Sequence, residues 1–294
     1  MLLETKLSIA RELTPYVSVQ DCADPRRAPL VEPVSAIKTL WKMRGGSQAR
    51  LVAASDGSFY VTKFLQNPQG HRTLVNEFIG ANIFRSLGIS TAAPSLIHVS
   101  ESFLRDDPSL GIDYGCRSVR VEPGWHFGSR YPVDPSRQSV YDFLPSAMLK
   151  QVDLSQFVGA LVADTWLGNL DRRQTIFYKC EGRWNHQMID FGQILGGQSW
   201  NPTESLLDGL YSNEAVYRGV TSWDDFEKWI VRIESFPEQD LYGIATLIPD
   251  EWITKKEEDT FHEVLDKLFL QRFEVAALIC KLHRSSQNPF RSWK

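Results

Sequence analysis

The hydrophobic pattern changes its period part of the way along the chain, and this change limits the fold more than any other feature. From Ile37, three apolar runs alternate as β-strands do and are separated by the glycine-bearing turns RGGSQ and SDGS. From Leu154, the apolar residues of LSQFVGALVADTWLG recur with helical spacing instead. A β-rich unit followed by a helix-rich unit is therefore expected, which is an α+β architecture.

The length of the chain, 294 residues, exceeds the usual size of one domain, so we expect two units. The proline-rich stretch 20–34 is interpreted as part of an irregular lead-in, residues 1–36. The stretch PGWHFGSRYPVDP is interpreted as a linker, with a boundary near Glu122. The sequence thus predicts a β-rich N-lobe with one main helix at 37–122, and a helical C-lobe with an embedded hairpin at 123–294.

Composition excludes several classes of protein. The net charge is −4 and the basic residues are scattered, which argues against a protein built to hold nucleic acid through its phosphates. The four cysteines show no paired metal-ligand spacing, which disfavours zinc. No stretch has the composition of a signal peptide or a membrane span, so we expect a cytoplasmic protein that contacts no membrane.

Two charged residues stand on faces that are otherwise apolar. Lys63 in FYVTKFL shares a strand face with apolar neighbours, and Glu77 lies on the packed side of the helix LVNEFIGANIFRSLG. Because an unpaired buried charge is costly, we predict a Lys63–Glu77 ion pair that holds the amine near a nucleotide's phosphates, as in protein kinases. The alternatives are an edge-strand lysine that reaches water and a glutamate on the margin of the helix.

The turn RGGSQAR joins the first two predicted strands. The backbone amides of Gly45, Gly46, Ser47 and Gln48 form a candidate anion site, although many double-glycine turns are only turns. The sequence contains neither GxxxxGK[ST] nor GxGxxG, which excludes a P-loop and a Rossmann dinucleotide site.

Two aspartates flank the predicted hairpin. Asp171 follows the buried helix in LGNLDRRQ, and Asp190 ends the second hairpin strand in MIDFG. A hairpin brings its two ends together, and two carboxylates there suit a magnesium–nucleotide site. Arg172 and Arg173 are expected to add positive charge to the loop. The alternative is that the aspartates are turn formers.

The order of these parts resembles the protein-kinase-like arrangement, and the local sequences resemble the HipA-like kinases more closely than eukaryotic protein kinases. The segments GGSQAR, FYVTKF, VNEFIGANIFRSLGI, WLGNLDRRQ, MIDFG and IPDEWI support this over roughly residues 38 to 280. The resemblance implies a bilobal fold and ATP- and Mg²⁺-dependent phosphorylation of a serine or threonine hydroxyl of a protein. It also implies that Lys63 contacts the phosphates and Glu77 anchors it. Asp171 would be the catalytic aspartate and Asp190 the principal Mg²⁺ ligand.

One position departs from the kinase pattern. The asparagine expected five residues after the catalytic aspartate is Ile176, and Gln174 is the nearest polar substitute as a second metal ligand. Asn169 could support the loop. The departure leaves open a pseudokinase that binds nucleotide and regulates a partner. GNLDR is similar to phosphoinositide kinases, so a lipid or small-molecule kinase also stays open, and an antitoxin or another regulatory partner is a further expectation.

Overall fold

The computed structural model describes residues 33–201 and 209–294, so nearly all of the predicted lead-in lies outside the described residues. The strands are β1 (Val34–Lys42), β2 (Arg50–Ala54), β3 (Phe59–Lys63), β4 (Pro94–Val99), β5 (Gly111–Asp113), β6 (Ser118–Arg120), β7 (Gly124–Arg130), β8 (Gln174–Cys180) and β9 (Arg183–Ile189). The helices are α1 (Arg72–Ser86), α2 (Glu101–Asp106), α3 (Ser146–Leu149), α4 (Ser155–Leu167), α5 (Asp224–Glu234), α6 (Glu238–Ala245), α7 (Glu258–Gln271) and α8 (Val275–Arg284). Short 3-10 helices cover Ile194–Ser199, Glu214–Tyr217 and Asp250–Trp252.

Five strands form a closed barrel in the order β1-β2-β3-β7-β4. The first three are the predicted antiparallel meander, and parallel pairing of Val34 in β1 with Ile97 in β4 closes the barrel. Tyr60 and Phe64 belong to the apolar cluster of this barrel. Because side chains alternate along a strand, Lys63 points to the other side, where helix α1 lies.

The segment interpreted as a linker begins with a strand. Residues Gly124–Arg130 form β7, which pairs with β3 on one side and with β4 on the other. Gly128 in this strand is required for packing, because a Cβ there would lie 2.5 Å from the side chain of Ile97. The interpretation was therefore wrong for these residues, and β7 belongs with the strands before it. Where two domains would divide stays a prediction.

Helix α1 and the helices after β7 share one apolar core. This core includes Phe78 of α1, Phe157 of α4 and Phe177 of β8, so the barrel side and the helical side pack together. Helix α4 ends at Gly168, which adopts the left-handed conformation with φ +57°. The predicted hairpin follows as β8 and β9, with Gln174 opposite Ile189. Among the described residues, no helix is both long and apolar enough to cross a bilayer.

Candidate active site

Lys63 is the centre of a charged cluster that joins three distant parts of the chain. Its Nζ contacts Oε1 of Glu77 on helix α1 and lies 2.9 Å from Oδ1 of Asp190, which follows β9. The side chains of Lys63 and Glu77 are 10% and 2% exposed, whereas that of Asp190 is 34% exposed. The predicted Lys63–Glu77 ion pair is therefore present, and Asp190 completes it from the more open side.

Burial and pairing act on these groups in opposite directions. Burial raises the pKa of Glu77 to about 7, although the Lys63 ammonium opposes the rise. Burial alone would lower the pKa of Lys63, but the carboxylates of Glu77 and Asp190 hold it above its usual range. Burial would raise the pKa of Asp190, yet the Lys63 ammonium keeps it well below its usual range. Lys63 and Asp190 are thus a charged pair at neutral pH.

The backbone of Asp190 is held in an uncommon conformation. Its φ is +64°, a left-handed value that a non-glycine residue keeps only when its surroundings impose it. Nη1 of Arg173 donates to the carbonyls of Ile189 at 2.6 Å and Asp190 at 3.1 Å. The N–H of Phe191 donates to Oε2 of Glu77 at 3.0 Å. These contacts fix the direction in which the Asp190 carboxylate points.

Arg173 is buried, whereas the sequence predicted that it would add positive charge to the loop. It is 2% exposed, and its guanidinium binds Asp164 in helix α4 through two bonds of 2.6 and 2.8 Å. Nδ2 of Asn169 donates to the same carboxylate at 2.9 Å, so Asn169 supports the loop as expected. Arg173 is therefore a buried support for the Asp190 backbone, while Arg172 is exposed on the loop. Asp164 was not recognised from the sequence.

Asp171 lies in the loop between α4 and β8, and its side chain is exposed. Its Oδ1 accepts the N–H of Arg172 at 2.7 Å, and its own N–H donates to Oδ1 of Asn169 at 3.1 Å. The N–H of Leu170 donates to the carbonyl of Gln193 at 3.0 Å. The loop that contains Asp171 thus runs beside the segment that follows Asp190, with its carboxylate accessible from solvent.

Gln174 lies directly against Asp190. Its Nε2 donates to Oδ2 of Asp190 at 2.8 Å, which leaves the amide Oε1 as a further oxygen donor. Ile176 is buried within β8, because the strand already begins at Gln174. Over residues 33–201 and 209–294, no group of three or more His, Cys, Asp or Glu side chains has a metal-binding arrangement. The donor set fits Mg²⁺, which commonly uses one or two protein oxygens together with substrate phosphates.

The glycine turn joins β1 and β2, and the Leu51–Val61 pairing sets it beside the strand that contains Lys63. Gly45 has φ +108°, and a Cβ added there would meet none of the described atoms within 4 Å. Ser47 is buried, and Gly46 lies over Gln69, whose Nε2 is 3.5 Å from the position of a Cβ.

The side chain of Gln48 does not point into the turn. Its amide binds both backbone groups of Asp113 in β5, accepting the N–H at 3.0 Å and donating to the carbonyl. The backbone N–H of Gln48, whose φ is +52°, donates to the carbonyl of Gly45 at 3.3 Å, so this predicted anion ligand already has a partner within the turn. The side-chain bonds instead tie the turn to the β5–β6 hairpin.

Two residues of helix α1 escaped the sequence analysis. Asn76 is fully buried beside Glu77, and Gly80 packs so closely on Phe191 that a Cβ would lie 2.7 Å from its ring. The available signals were a glycine in the middle of a helix and a second polar residue next to Glu77. Both residues connect α1 to the segment that begins with Asp190.

The chain resembles known proteins both in sequence and in fold. A family model described as HipA-like kinase matches residues 37–292. A search of curated proteins finds no match.

Two solved structures resemble the chain. A proinflammatory kinase of Helicobacter pylori, CtkA, matches with a TM-score of 0.56 and 14% identity, over 83% of this chain and 97% of CtkA. A Golgi casein kinase matches with a TM-score of 0.50 and 11% identity, over 96% of this chain and 77% of that protein. At these identities the matches show a kinase-like fold of mixed α and β structure and say nothing about substrate.

Proposed function

The chain belongs to the HipA-like kinase family, and on that premise we propose that it is an ATP- and Mg²⁺-dependent phosphotransferase acting on a serine or threonine hydroxyl of a protein. The observation that supports this most is the contact of one lysine ammonium with two carboxylates, Glu77 from a helix and Asp190 from the end of a hairpin. A kinase needs this arrangement to hold phosphates and a metal ion together.

Each residue has a proposed task. The Lys63 ammonium meets the phosphates and Glu77 holds it there. The backbone amides of Gly45, Gly46 and Ser47 cover the phosphates from the barrel side. Asp190, with Oε1 of Gln174, holds Mg²⁺, which supplies positive charge against the phosphate oxygens when it is bound. In this proposal the barrel and the helical part act as two lobes around the nucleotide, and β8–β9 is the catalytic hairpin.

The transfer itself uses the exposed carboxylate of Asp171. The acceptor hydroxyl oxygen forms a bond to the γ-phosphorus while the bond from that phosphorus to the bridging oxygen of ADP breaks. The electron pair of the broken bond leaves with ADP, and the hydroxyl proton passes to Asp171. The exposure of this side chain supports the role, because an acceptor on another protein can reach it.

Labelled ATP tests the enzyme hypothesis. Purified protein with Mg²⁺ should label itself or an added protein acceptor, and Asp190→Ala should lose the label. Asp259→Ala, which removes an exposed carboxylate from the first turn of α7, is the matched control and should label as the wild type does. Equal labelling by wild type and Asp190→Ala, or none by either, would refute the proposal.

A second candidate is a pseudokinase that keeps nucleotide binding and regulates a partner. The observation that favours it is Ile176, a buried apolar side chain in the position of a metal-binding asparagine. Calorimetry that detects ATP binding, together with no transfer under Mg²⁺ or Mn²⁺, would favour this candidate. Transfer to lipid or small-molecule hydroxyls in a substrate screen, with none to protein, would favour a lipid or small-molecule kinase.

The proposed metal role of Gln174 has its own test. Gln174→Ala removes the amide oxygen and should raise the Mg²⁺ concentration needed for half-maximal transfer, whereas Gln174→Glu keeps an oxygen donor and should not. Unchanged Mg²⁺ dependence in Gln174→Ala would mean that Gln174 orients Asp190 without binding the ion.

A further inference from the structure

Asn76 is the fully buried neighbour of Glu77, and all the hydrogen bonds of its amide go to one segment. Its Nδ2 donates to the carbonyls of Gly192 at 3.0 Å, Ile194 at 3.0 Å and Gly197 at 3.2 Å, so one of its two hydrogens is shared between two carbonyls. Its Oδ1 accepts the indole N–H of Trp200 at 2.9 Å. The side chain thus holds residues 192–200, which directly follow Asp190 and Phe191. We call these four bonds the Asn76 clasp.

The clasped segment cannot hold its shape through ordinary helix bonding. Leu195, Gly196, Gly197 and Trp200 all have positive φ, between +51° and +77°. Three carbonyls of this segment meet the buried amide of Asn76, and buried carbonyls need donors. The amide of Asn76 supplies these donors, so the positive-φ conformation of the segment and the asparagine depend on each other.

The clasp lies one residue from the catalytic cluster. Glu77 accepts the N–H of Phe191 and contacts Lys63, while Asn76 grips the chain immediately after Phe191. Gly192 packs tightly against helix α1, because a Cβ there would lie 2.8 Å from the methyl group of Thr73. Any displacement of helix α1 must therefore carry the segment after Asp190 with it.

We propose that Asn76 is a positioning residue for phosphoryl transfer. By clamping residues 192–200 onto helix α1, it keeps the Asp190 carboxylate and the Lys63–Glu77 pair in one geometry. The inference rests on the proposed function and adds to it: Asn76 touches neither nucleotide nor acceptor, and it acts through the backbone that Asp190 shares with the clasped segment.

The test uses an isosteric substitution with a matched control on the same helix. Asn76→Asp keeps the shape but cannot donate to the three carbonyls, whereas Asn82→Asp removes a single bond to the carbonyl of Phe78 within the helix. Trp200→Phe removes the indole bond and part of the packing on Arg72 and Phe261, and it leaves the three carbonyl bonds. Asn76→Ser, which can donate once, serves if the aspartate variant does not fold.

We expect kcat of Asn76→Asp to fall on the order of 100-fold, the effect of displacing a reacting group by about 1 Å. The KM for ATP should change far less, because Lys63 and the glycine turn are untouched, and the Mg²⁺ requirement should rise. Asn76→Ser should lie between this variant and the wild type, while Asn82→Asp and Trp200→Phe should stay within about threefold of the wild type, well short of that displacement effect.

Hydrogen exchange distinguishes a positioning role from a structural one. Folded Asn76→Ser with faster exchange at residues 191–200, but with wild-type kcat and Mg²⁺ dependence, overturns the proposal. If the wild type transfers no phosphate, the proposed function fails, and calorimetry with manganese–ATP decides about Asn76 separately. A higher Mn²⁺ concentration for half-maximal ATP binding in Asn76→Ser than in the wild type then supports positioning of Asp190. An equal Mn²⁺ requirement, or undetectable binding in both, overturns it.

Discussion

The cluster around Lys63 and the glycine turn are both proposed to meet the same nucleotide, yet they are built in opposite ways. In the cluster, Lys63 and Glu77 are buried, Asp190 is partly exposed, and each is held by a partner from a different element. In the turn, Gly45 and Gly46 are exposed, and the bonds of Gln48 go to a neighbouring hairpin. In the proposed site, the Lys63 cluster is therefore the preformed half. The exposed glycine turn is the half that we expect to adapt to phosphates, and we call it the adaptable half.

The preformed half should be more sensitive to substitution than the adaptable half, and Lys63→Met should have the largest effect. Without the ammonium, the carboxylates of Glu77 and Asp190 lie together with no cation between them. We expect the free energy of unfolding to fall by about 3–5 kcal/mol, the usual effect of removing one partner from a buried ion pair. Urea denaturation followed by circular dichroism measures the change.

The control lies at the end of β1, next to the glycine turn. Lys42→Met removes an exposed lysine that contacts Gln48 at 3.1 Å, and its stability should stay within about 0.5 kcal/mol of the wild type. In the double variant Lys63→Met/Glu77→Gln, part of the lost stability should return, because one uncompensated charge is gone. An unchanged urea midpoint in Lys63→Met would show that the cluster is not a tightly coupled unit.

Gly80→Ala tests how closely helix α1 is packed on the Asp190 segment. The added methyl group would overlap the ring of Phe191, so we expect a loss of about 1–3 kcal/mol in the free energy of unfolding. Gly243 is the matched control, since it also lies inside a helix, α6, but a Cβ there meets none of the described atoms within 4 Å.

The two alanine variants should change stability in opposite directions. Gly243→Ala should stabilise the protein by about 0.4–1 kcal/mol, because alanine loses less backbone entropy on folding. Thermal melting of both variants gives the comparison. If Gly80→Ala were also stabilised, the contact between α1 and Phe191 would have to be loose.

In the preformed half of the site, the contacts between the charged residues followed from the sequence. Lys63 and Glu77 each stood on an apolar face, where a charge requires a partner, and the structure joins them. Asp190 followed from the topology, because a hairpin must return its second strand to the place where the first began. Burial thus makes charged residues conspicuous in the sequence.

The errors arose where local composition and tertiary contacts disagree. Arg173 sits in a polar loop typical of exposed charge, but Asp164, nine residues earlier, draws it into the core. The glycines and prolines around β7 are typical of a linker, yet Gly128 is needed by the side chain of a neighbouring strand. The contact of the Gln48 side chain with Asp113 in β5 was not predicted at all, because no local pattern encodes it.

Acid should lower the stability of the protein through His126, a buried histidine that contacts the backbone next to β3. Nδ1 of His126 accepts the N–H of Leu65, just after the strand that contains Lys63, and Nε2 donates to the carbonyl of Glu122. Burial lowers the pKa of His126 to about 4, from 6.5. The unfolded chain therefore binds this proton first as the pH falls, and stability is lost from pH 6.5 down towards pH 4.

The slope of that loss can be assigned to the residue. At full effect one histidine accounts for about 1.4 kcal/mol per pH unit, and buried His186, whose pKa is also lowered to about 4, acts in the same direction. His126→Asn should remove its share of the slope in urea titrations between these pH values. His262→Asn, at an exposed position in α7, is the control and should keep the wild-type slope.

Gln48→Asn, a substitution in the adaptable half, should have the smallest effect on stability and activity. Asparagine tolerates the left-handed backbone at this position, but it is one methylene too short to keep both bonds to Asp113. Because the turn is exposed, stability should change by no more than about 0.5 kcal/mol. A less firmly held turn weakens ground-state and transition-state binding equally, so KM for ATP should rise about threefold with kcat unchanged. Steady-state kinetics would contradict this if kcat fell at constant KM, because the turn would then belong to the preformed half.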